Sequence, residues 1–120
     1  MSSDLVLGRA GASGVTWQVL DDGVRPDGRH RVGADAKLVG AAKGDWWVAY
    51  QDSRRGDWWL ARATPAGKVT RQLLADAGSA GWSSSAVVWG GAGWLWSSTT
   101  RNLTPAGSLV QSQQWFVVPP

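Results

Sequence analysis

The side chains that could do chemistry are aspartates and arginines that recur beside tryptophans. The chain of 120 residues contains ten Trp, and all nine of its acidic residues are Asp. A tryptophan ring offers a flat apolar face to the C–H groups of a sugar, while carboxylate, amide and guanidinium groups hydrogen-bond its hydroxyls. This combination is typical of carbohydrate-binding proteins. The residues that we predict to form a ligand site are Asp52, Arg54, Arg55, Asp57, Asp76, Trp82, Arg101 and Asn102.

The densest part of this set is the polar segment 52–57, Asp-Ser-Arg-Arg-Gly-Asp. Its two guanidinium groups could bind an anion or the carboxylate of an acidic sugar. The simpler interpretation, which the sequence favours, is a solvated hairpin loop in which Asp and Arg side chains pair with one another.

Catalytic chemistry has few residues to use. The chain has no Cys and one His, so a thiolate site, a histidine metal cluster or a Ser/His/Asp triad can hardly be assembled. Sialidase-like hydrolysis needs a tyrosine nucleophile, and Tyr50 falls in a predicted inner strand. Asp21-Asp22 is interpreted as a polar turn and His30 as an exposed residue of an outer strand. We therefore expect no enzyme activity, no metal and no cofactor, and glycosidase-like activity is the lower alternative.

Other partners receive little support. The net charge is +3, but the 12 Lys and Arg residues are scattered, so nucleic acid is an unlikely ligand. No run approaches the roughly 20 apolar residues of a membrane helix. Residues 1–20 lack the basic start of a signal peptide. The lack of cysteine is compatible with a cytoplasmic protein and with many secreted bacterial proteins.

An internal repeat organises the chain. Pro-x-Gly occurs at 26–28, 65–67 and 105–107, with the glycines 39 and 40 residues apart. The first and third copies align without a gap at an offset of 79, which places Trp17 on Trp96. The second copy fits with an insertion of eight residues between Trp46 and Pro65. Such a period indicates a repeat architecture. The predicted units are a first blade over about 4–33, a second over about 36–76, a third over about 82–113 and a tail strand over 114–120.

Each repeat is predicted to contain four short strands, and in the second they span 37–42, 45–51, 57–64 and 68–74. Strand alternation places Trp46 and Tyr50 on one face and Trp47 on the other, so both faces are apolar. A sheet of this kind must pack between two others, as a β-propeller blade does. The tryptophans expected in the core are Trp46, Trp47, Trp58, Trp59, Trp94 and Trp96, whereas Trp82 is expected in a loop, as a ligand platform or an interface residue.

The segments 44–50 with 59–67, and 93–96 with 103–107, resemble bacterial β-propeller repeats, and the resemblance covers nearly the whole chain. Gly14-Val-Thr-Trp17 is similar to the second half of a sialidase-type Asp box, with Ala10 and Ala12 at its Ser and Asp positions. The resemblance implies an all-β chain of three four-stranded blades, related to lectin-like propellers. A β-trefoil is the alternative fold.

Three blades cannot close a ring, because propellers use about four to eight. From residue 77 to 120 the one charged residue is Arg101, although this stretch contains five Trp. An uncharged end repeat of this kind predicts an interaction surface. We therefore expect a homodimer that forms a six-bladed ring, in which the tail could donate a strand to a neighbour or mark where a longer propeller was cut. The expected function is glycan binding, and a structural or protein-interaction propeller is the alternative.

Overall fold

The computed structural model describes residues 3–40, 44–76, 78–102 and 109–118. Within these ranges the chain is all-β and contains no α-helix, which confirms the all-β part of the predicted fold. The strands are β1 Leu5–Gly11, β2 Gly14–Asp21, β3 Val24–Arg25, β4 Gly28–Arg29, β5 Val32–Gly40, β6 Trp46–Asp52, β7 Asp57–Ala63, β8 Val69–Ala75, β9 Ser79–Trp89, β10 Ala92–Asn102 and β11 Leu109–Val118.

The central sheet is an antiparallel meander in the order β5-β6-β7-β8. Its strands are the four that were predicted for the second repeat, shifted by a few residues at their ends. The Pro65 turn joins β7 to β8. Two backbone hydrogen bonds close it: Gly67 N–H donates to Thr64 O at 2.9 Å, and Thr64 N–H donates to Lys68 O at 2.9 Å. Gly67 has a φ of +89°, a conformation in which a residue with a side chain would be strained.

Both faces of this sheet are buried, as the alternation of apolar residues predicts. On one face Val48 and Tyr50 pack with Leu5 and Leu20 of the β1–β2 hairpin. On the other face Ala49, Trp58 and Leu60 pack with Leu95 and Val118 of the sheet β9-β10-β11. The protein is therefore a stack of three β layers with two hydrophobic cores.

The outer layers are not four-stranded blades, and the sheets do not close a ring. The first repeat forms the hairpin β1–β2 and a separate two-residue ladder, β3–β4. Residues 32 and 34, which the blade prediction assigned to the first repeat or its boundary, pair with β6 of the central sheet instead. The third layer has three described strands, of which β9 and β10 are each 11 residues long.

Two local predictions were wrong for the same reason, the length of these strands. Trp82 lies within β9 rather than in a loop. Residues 114–118 of the predicted tail strand belong to β11, where Val118 pairs with Gly93 of β10. The tail is thus an integral part of the third sheet, since β11 continues its pairing with β10 to the end of the described chain.

The three layers do not all face the same way. The pattern Gly-x-x-Trp ends at Trp17, Trp47 and Trp96. Trp47 packs into the core between the central and third sheets, and Trp96 lies on the outward face of the third sheet, so both point in one direction. Trp17 is 69% exposed on the opposite outer face. A head-to-tail ring requires equivalent residues to point the same way around the ring, whereas the aligned residues Trp17 and Trp96 point in opposite directions.

The described part of the chain contains no helix that is long and apolar enough to cross a membrane.

Candidate functional site

A polar cavity lies beside the β6–β7 hairpin, and we call it the polar cavity. Its volume is about 630 Å³. The hairpin is closed by the pairing of Asp52 with Asp57 and by the backbone bond from Gly56 N–H to Asp52 O at 2.9 Å. This pairing places carboxylates from both strand ends at one rim. The lining residues are Arg25, Pro26, Asp27, His30, Asp52, Arg55, Asp57, Trp59, Leu73 and Asp76.

His30 forms the buried wall of the cavity, contrary to the prediction of an exposed residue. It is 1% exposed. Its Nδ1 lies 2.5 Å from Asp52 Oδ2 and its Nε2 lies 2.7 Å from Asp27 Oδ1. Each ring nitrogen therefore has a carboxylate oxygen as its partner, which fixes the orientation of the ring. Arg29 and Arg31 on either side of His30 are exposed, and this alternation of charged and uncharged residues is the sequence signal that could have revealed the burial.

Behind this wall, Asp21 is the centre of a buried hydrogen-bond network. Its carboxylate accepts from Arg25 at 2.8 and 3.0 Å, from Tyr50 Oη at 2.7 Å and from Arg71 Nη1 at 2.8 Å. Burial by itself raises the pKa of Asp21, but the hydrogen bonds from Arg25, Tyr50 and the Gly23 N–H outweigh burial and lower it to about 2. Asp21 is therefore a buried structural anion rather than part of an exposed polar turn.

The same network holds Tyr50 as a donor. Tyr50 is fully buried, and burial followed by its bond to Asp21 raises the pKa of its hydroxyl far above the usual value. A tyrosine in this state is a poor nucleophile, because it is neither accessible nor easily deprotonated.

Arg25 connects the network to the polar cavity. Its guanidinium lies over the Trp59 ring at 4.8 Å, and its Nε is 3.8 Å from Asp52 Oδ2. The hydrogen bonds to Asp21 raise the pKa of Arg25, so this residue is a permanent cation. The stack on Trp59 fixes the cation on the wall of the cavity.

The rim carries carboxylates in two different states. Asp27 accepts from Arg55 Nη2 at 2.6 Å, and this bond, with the contact to His30, lowers the pKa of Asp27 to about 2 despite the effect of burial. Asp57 is buried, and no described residue donates a hydrogen bond to it or forms an ion pair with it. Burial first, and then the nearby charges of Asp52 and Asp76, raise the pKa of Asp57. Asp57 is therefore a buried acceptor at this rim that can accept a hydrogen bond from a ligand.

The structure gathers half of the predicted site. Asp52, Arg55, Asp57 and Asp76 line the polar cavity, whereas Arg54 lies in a separate cleft. Arg101 and Asn102 end strand β10, and their side chains, like that of Trp82, lie outside the described atoms.

Sequence reasoning missed other lining residues, chiefly Arg25, Asp27, His30 and Trp59. The Pro26 turn was recognised as part of the first repeat. The loop at 53–56, which lies close to it in the structure, belongs to the second repeat, so the sequence did not show that the two are neighbours. Trp59 was assigned to the core, and it does pack partly against the first core while also lining the cavity.

The described residues contain no group of three or more His or Asp side chains that could hold a metal ion. No protein-family model, curated protein or solved structure matches the chain. The geometry of the cavity is consequently the basis on which a function is assigned.

Proposed function

We propose that this protein binds carbohydrate, without catalysis, in the polar cavity beside the β6–β7 hairpin. The observation that carries the proposal is the unpartnered carboxyl of Asp57 in a cavity that also presents Asp76, Arg55 and Trp59. Sugar hydroxyls can donate to Asp57 and Asp76 and accept from Arg55. A site of this kind combines a few convergent polar groups with an apolar surface.

The apolar part of the site is formed by neighbouring strands. Trp59 of β7 pairs directly with Leu73 of β8, and Leu73 is an exposed residue. The two side chains therefore share one face of the sheet and offer apolar surface to the C–H groups of a sugar ring.

The non-catalytic part of the proposal rests on Tyr50, the tyrosine that sialidase-like hydrolysis would use. Its burial and its bond to Asp21 remove it from contact with a ligand in the cavity.

The experiment is a titration of the protein with a panel of neutral and acidic oligosaccharides. Binding is measured by tryptophan fluorescence and by calorimetry. Asp57→Asn and Asp76→Asn should each weaken binding about tenfold or more, because each replaces a charged acceptor in the cavity. Asp22→Asn is the matched control, since Asp22 is exposed and does not line the polar cavity. Equal affinities of the Asp57→Asn variant and the unchanged protein would refute the proposal.

A second candidate, a structural or protein-interaction role, is favoured by the outward face of the third sheet. Trp89 and Trp115 are 73% and 64% exposed there, beside half-buried Trp94 and Trp96. Uncharged apolar surfaces of this kind usually mark interfaces. We propose that copies of the chain associate through this face, so that self-assembly and glycan binding use different parts of the molecule.

A further inference from the structure

A second cleft lies beside the polar cavity and has a different composition. It is lined by Arg29, Arg31, Ser53 and Arg54, and its volume is about 340 Å³. We call it the arginine cleft. None of its lining residues lines the polar cavity.

The alternating directions of three consecutive side chains explain why two of the arginines share this surface. Residues 29, 30 and 31 alternate between exposed, buried and exposed. Since His30 is held inward by Asp27 and Asp52, Arg29 and Arg31 are both directed outward. The buried histidine thus sets the direction of its two neighbours.

The third arginine is brought to the cleft by bonds between the two loops. The backbone N–H of Ser53 donates to Arg31 O at 2.9 Å, and Arg54 Nη1 donates to Arg29 O at 3.3 Å. The N–H of Arg54 also donates to Asp52 Oδ1 at 3.0 Å. The loop that carries Arg54 is therefore fixed against the segment that carries Arg29 and Arg31.

The described residues do not balance the positive charges in this cleft. Arg29 pairs with Asp4 at 3.3 Å, and this is the one ion pair that any of the three arginines makes with a described residue. Three guanidinium groups with a single ion-paired carboxylate, that of Asp4, leave an excess of positive charge. A bound anion would reduce the repulsion among the guanidinium groups, and their planar N–H donors suit the oxygens of a sulfate or carboxylate group.

We propose that the arginine cleft binds the anionic substituent, a sulfate ester or a carboxylate, of an acidic glycan whose sugar chain occupies the polar cavity. Arg54 and Arg55 are consecutive residues, and the first lines the arginine cleft while the second lines the polar cavity. One extended ligand can therefore contact both sites across the β6–β7 hairpin. The inference rests on the proposed glycan-binding function and narrows it to acidic polysaccharides.

The test compares binding of dextran sulfate, polygalacturonate and uncharged dextran by calorimetry at two salt concentrations. We expect at least one of the charged polymers to bind about ten times more tightly than dextran, and this preference should weaken as salt rises. The two charged polymers distinguish a sulfate from a carboxylate as the preferred group. The double variant Arg31→Gln/Arg54→Gln should abolish the preference, and circular dichroism checks that it is folded.

The control Lys68→Gln removes a positive charge from an exposed turn residue outside both sites. It should retain most of the preference. An equal loss in this variant, or an unchanged preference in the double arginine variant, would overturn the inference. Tighter binding of single-stranded DNA than of either charged polysaccharide would overturn it as well.

Two variants distinguish failure of anion binding in the arginine cleft from failure of glycan binding in the polar cavity. If Asp57→Asn weakens binding of a neutral oligosaccharide while the arginine variant leaves the charge preference intact, the polar cavity binds glycan and the arginine cleft has no part in it. If Asp57→Asn has no effect on any glycan, the proposed function itself fails, and the inference fails with it.

Discussion

Asp21 shows how one buried charge can organise a small β protein. Taking a carboxylate out of water is costly, and here Arg25, Arg71 and Tyr50 supply the hydrogen bonds that offset the cost. Asp21 also holds Arg25 against Trp59 on the wall of the polar cavity. The stability of the fold and the shape of the candidate site therefore depend on the same residue.

Replacing Asp21 should severely destabilise the fold. Asp21→Asn removes the charge that Arg25 and Arg71 require, and breaking one member of a buried ion pair typically costs about 3–5 kcal/mol. Denaturation in urea at pH 7 measures the loss. The neighbouring variant Asp22→Asn should cost no more than about 1 kcal/mol, because Asp22 is exposed and accepts one backbone N–H. Similar losses in both variants would show that Asp21 has no special role.

The acidic residues should make the stability depend on pH in two opposite ways. The pKa values of Asp21 and Asp27 are lowered to about 2 in the folded protein, from a usual value of 3.8. The unfolded chain therefore binds more protons between these values, so their stabilisation is present above pH 3.8 and is lost as the pH falls toward 2. Asp57 has a raised pKa in the folded protein, so its contribution to the stability of the fold decreases as the pH rises above 3.8.

Asp57→Asn should consequently stabilise the fold at pH 7 while it weakens glycan binding. The neutral amide removes the cost of a buried charge that lacks a partner among the described residues. The gain should shrink at about pH 3, because Asp57 itself is then mostly protonated in both states. Urea midpoints of the variant and the unchanged protein at the two pH values provide the measurement. A variant that is less stable at pH 7 would show that Asp57 is a structural residue.

Strands β7 and β9 contact each other at Gly81, where the absence of a side chain lets the two strands approach closely. Gly81 of β9 has a φ of +83°, and a Cβ placed on it would lie 2.7 Å from the Trp58 ring. Trp58 is completely buried and also contacts Phe116 edge-on, with ring centroids 5.5 Å apart. The indole can therefore move little, and the close approach of β9 to the central sheet depends on Gly81.

Gly81→Ala should accordingly destabilise the protein by roughly 2–5 kcal/mol, combining backbone strain with overpacking. Gly90→Ala is the control, because Gly90 has a φ of +60° but nothing lies within 4 Å of the position that its methyl group would take. It should lose only the strain, about 1–3 kcal/mol. Thermal unfolding of the two variants separates the two effects, and equal losses would exclude a steric role for Trp58.

Local sequence patterns predicted the central sheet well and the outer layers poorly. Alternation along 46–50 and the Pro65 turn fix the meander, since both features act over neighbouring residues. The strand that contains Trp82 was missed because Gly81 and the following serines resemble a loop, while their pairing with β10 depends on residues more than ten positions away. Likewise, His30 was misplaced because its partners Asp52 and Asp27 come together only after the first repeat folds onto the second.

As a whole, the molecule has two buried interfaces between layers and two outer faces. Trp17, with Val15 and Val19, makes the outer face of the first hairpin apolar. The third sheet presents Trp89 and Trp115 in the same way. Since the aligned residues Trp17 and Trp96 point in opposite directions, these faces are alike rather than complementary ends of a head-to-tail ring. Association through like faces gives closed pairs, in which one surface meets its own copy around a two-fold axis.

The face of the third sheet is the stronger candidate for this contact. Trp89 lies 6.3 Å from Trp94, and Trp96 lies 6.4 Å from Trp115, measured between ring centroids. An aromatic side chain buries about 150–250 Å², so four tryptophans can supply several hundred of the roughly 800 Å² that a stable interface takes from each partner. The side chains described on this sheet carry no charge, so these residues bury no unpaired ion when they pack against a second copy.

Light scattering after size exclusion, at two protein concentrations, should therefore give twice the chain mass of 12.8 kDa. Trp115→Thr should shift the protein toward the monomer, because truncating a central interface tryptophan commonly costs about 2 kcal/mol or more. Trp17→Thr, at an equally exposed tryptophan of the other outer face, should leave the dimer intact. Dissociation by Trp17→Thr alone would place the contact on the first hairpin, and a monomer at both concentrations would show that the apolar faces serve a different partner.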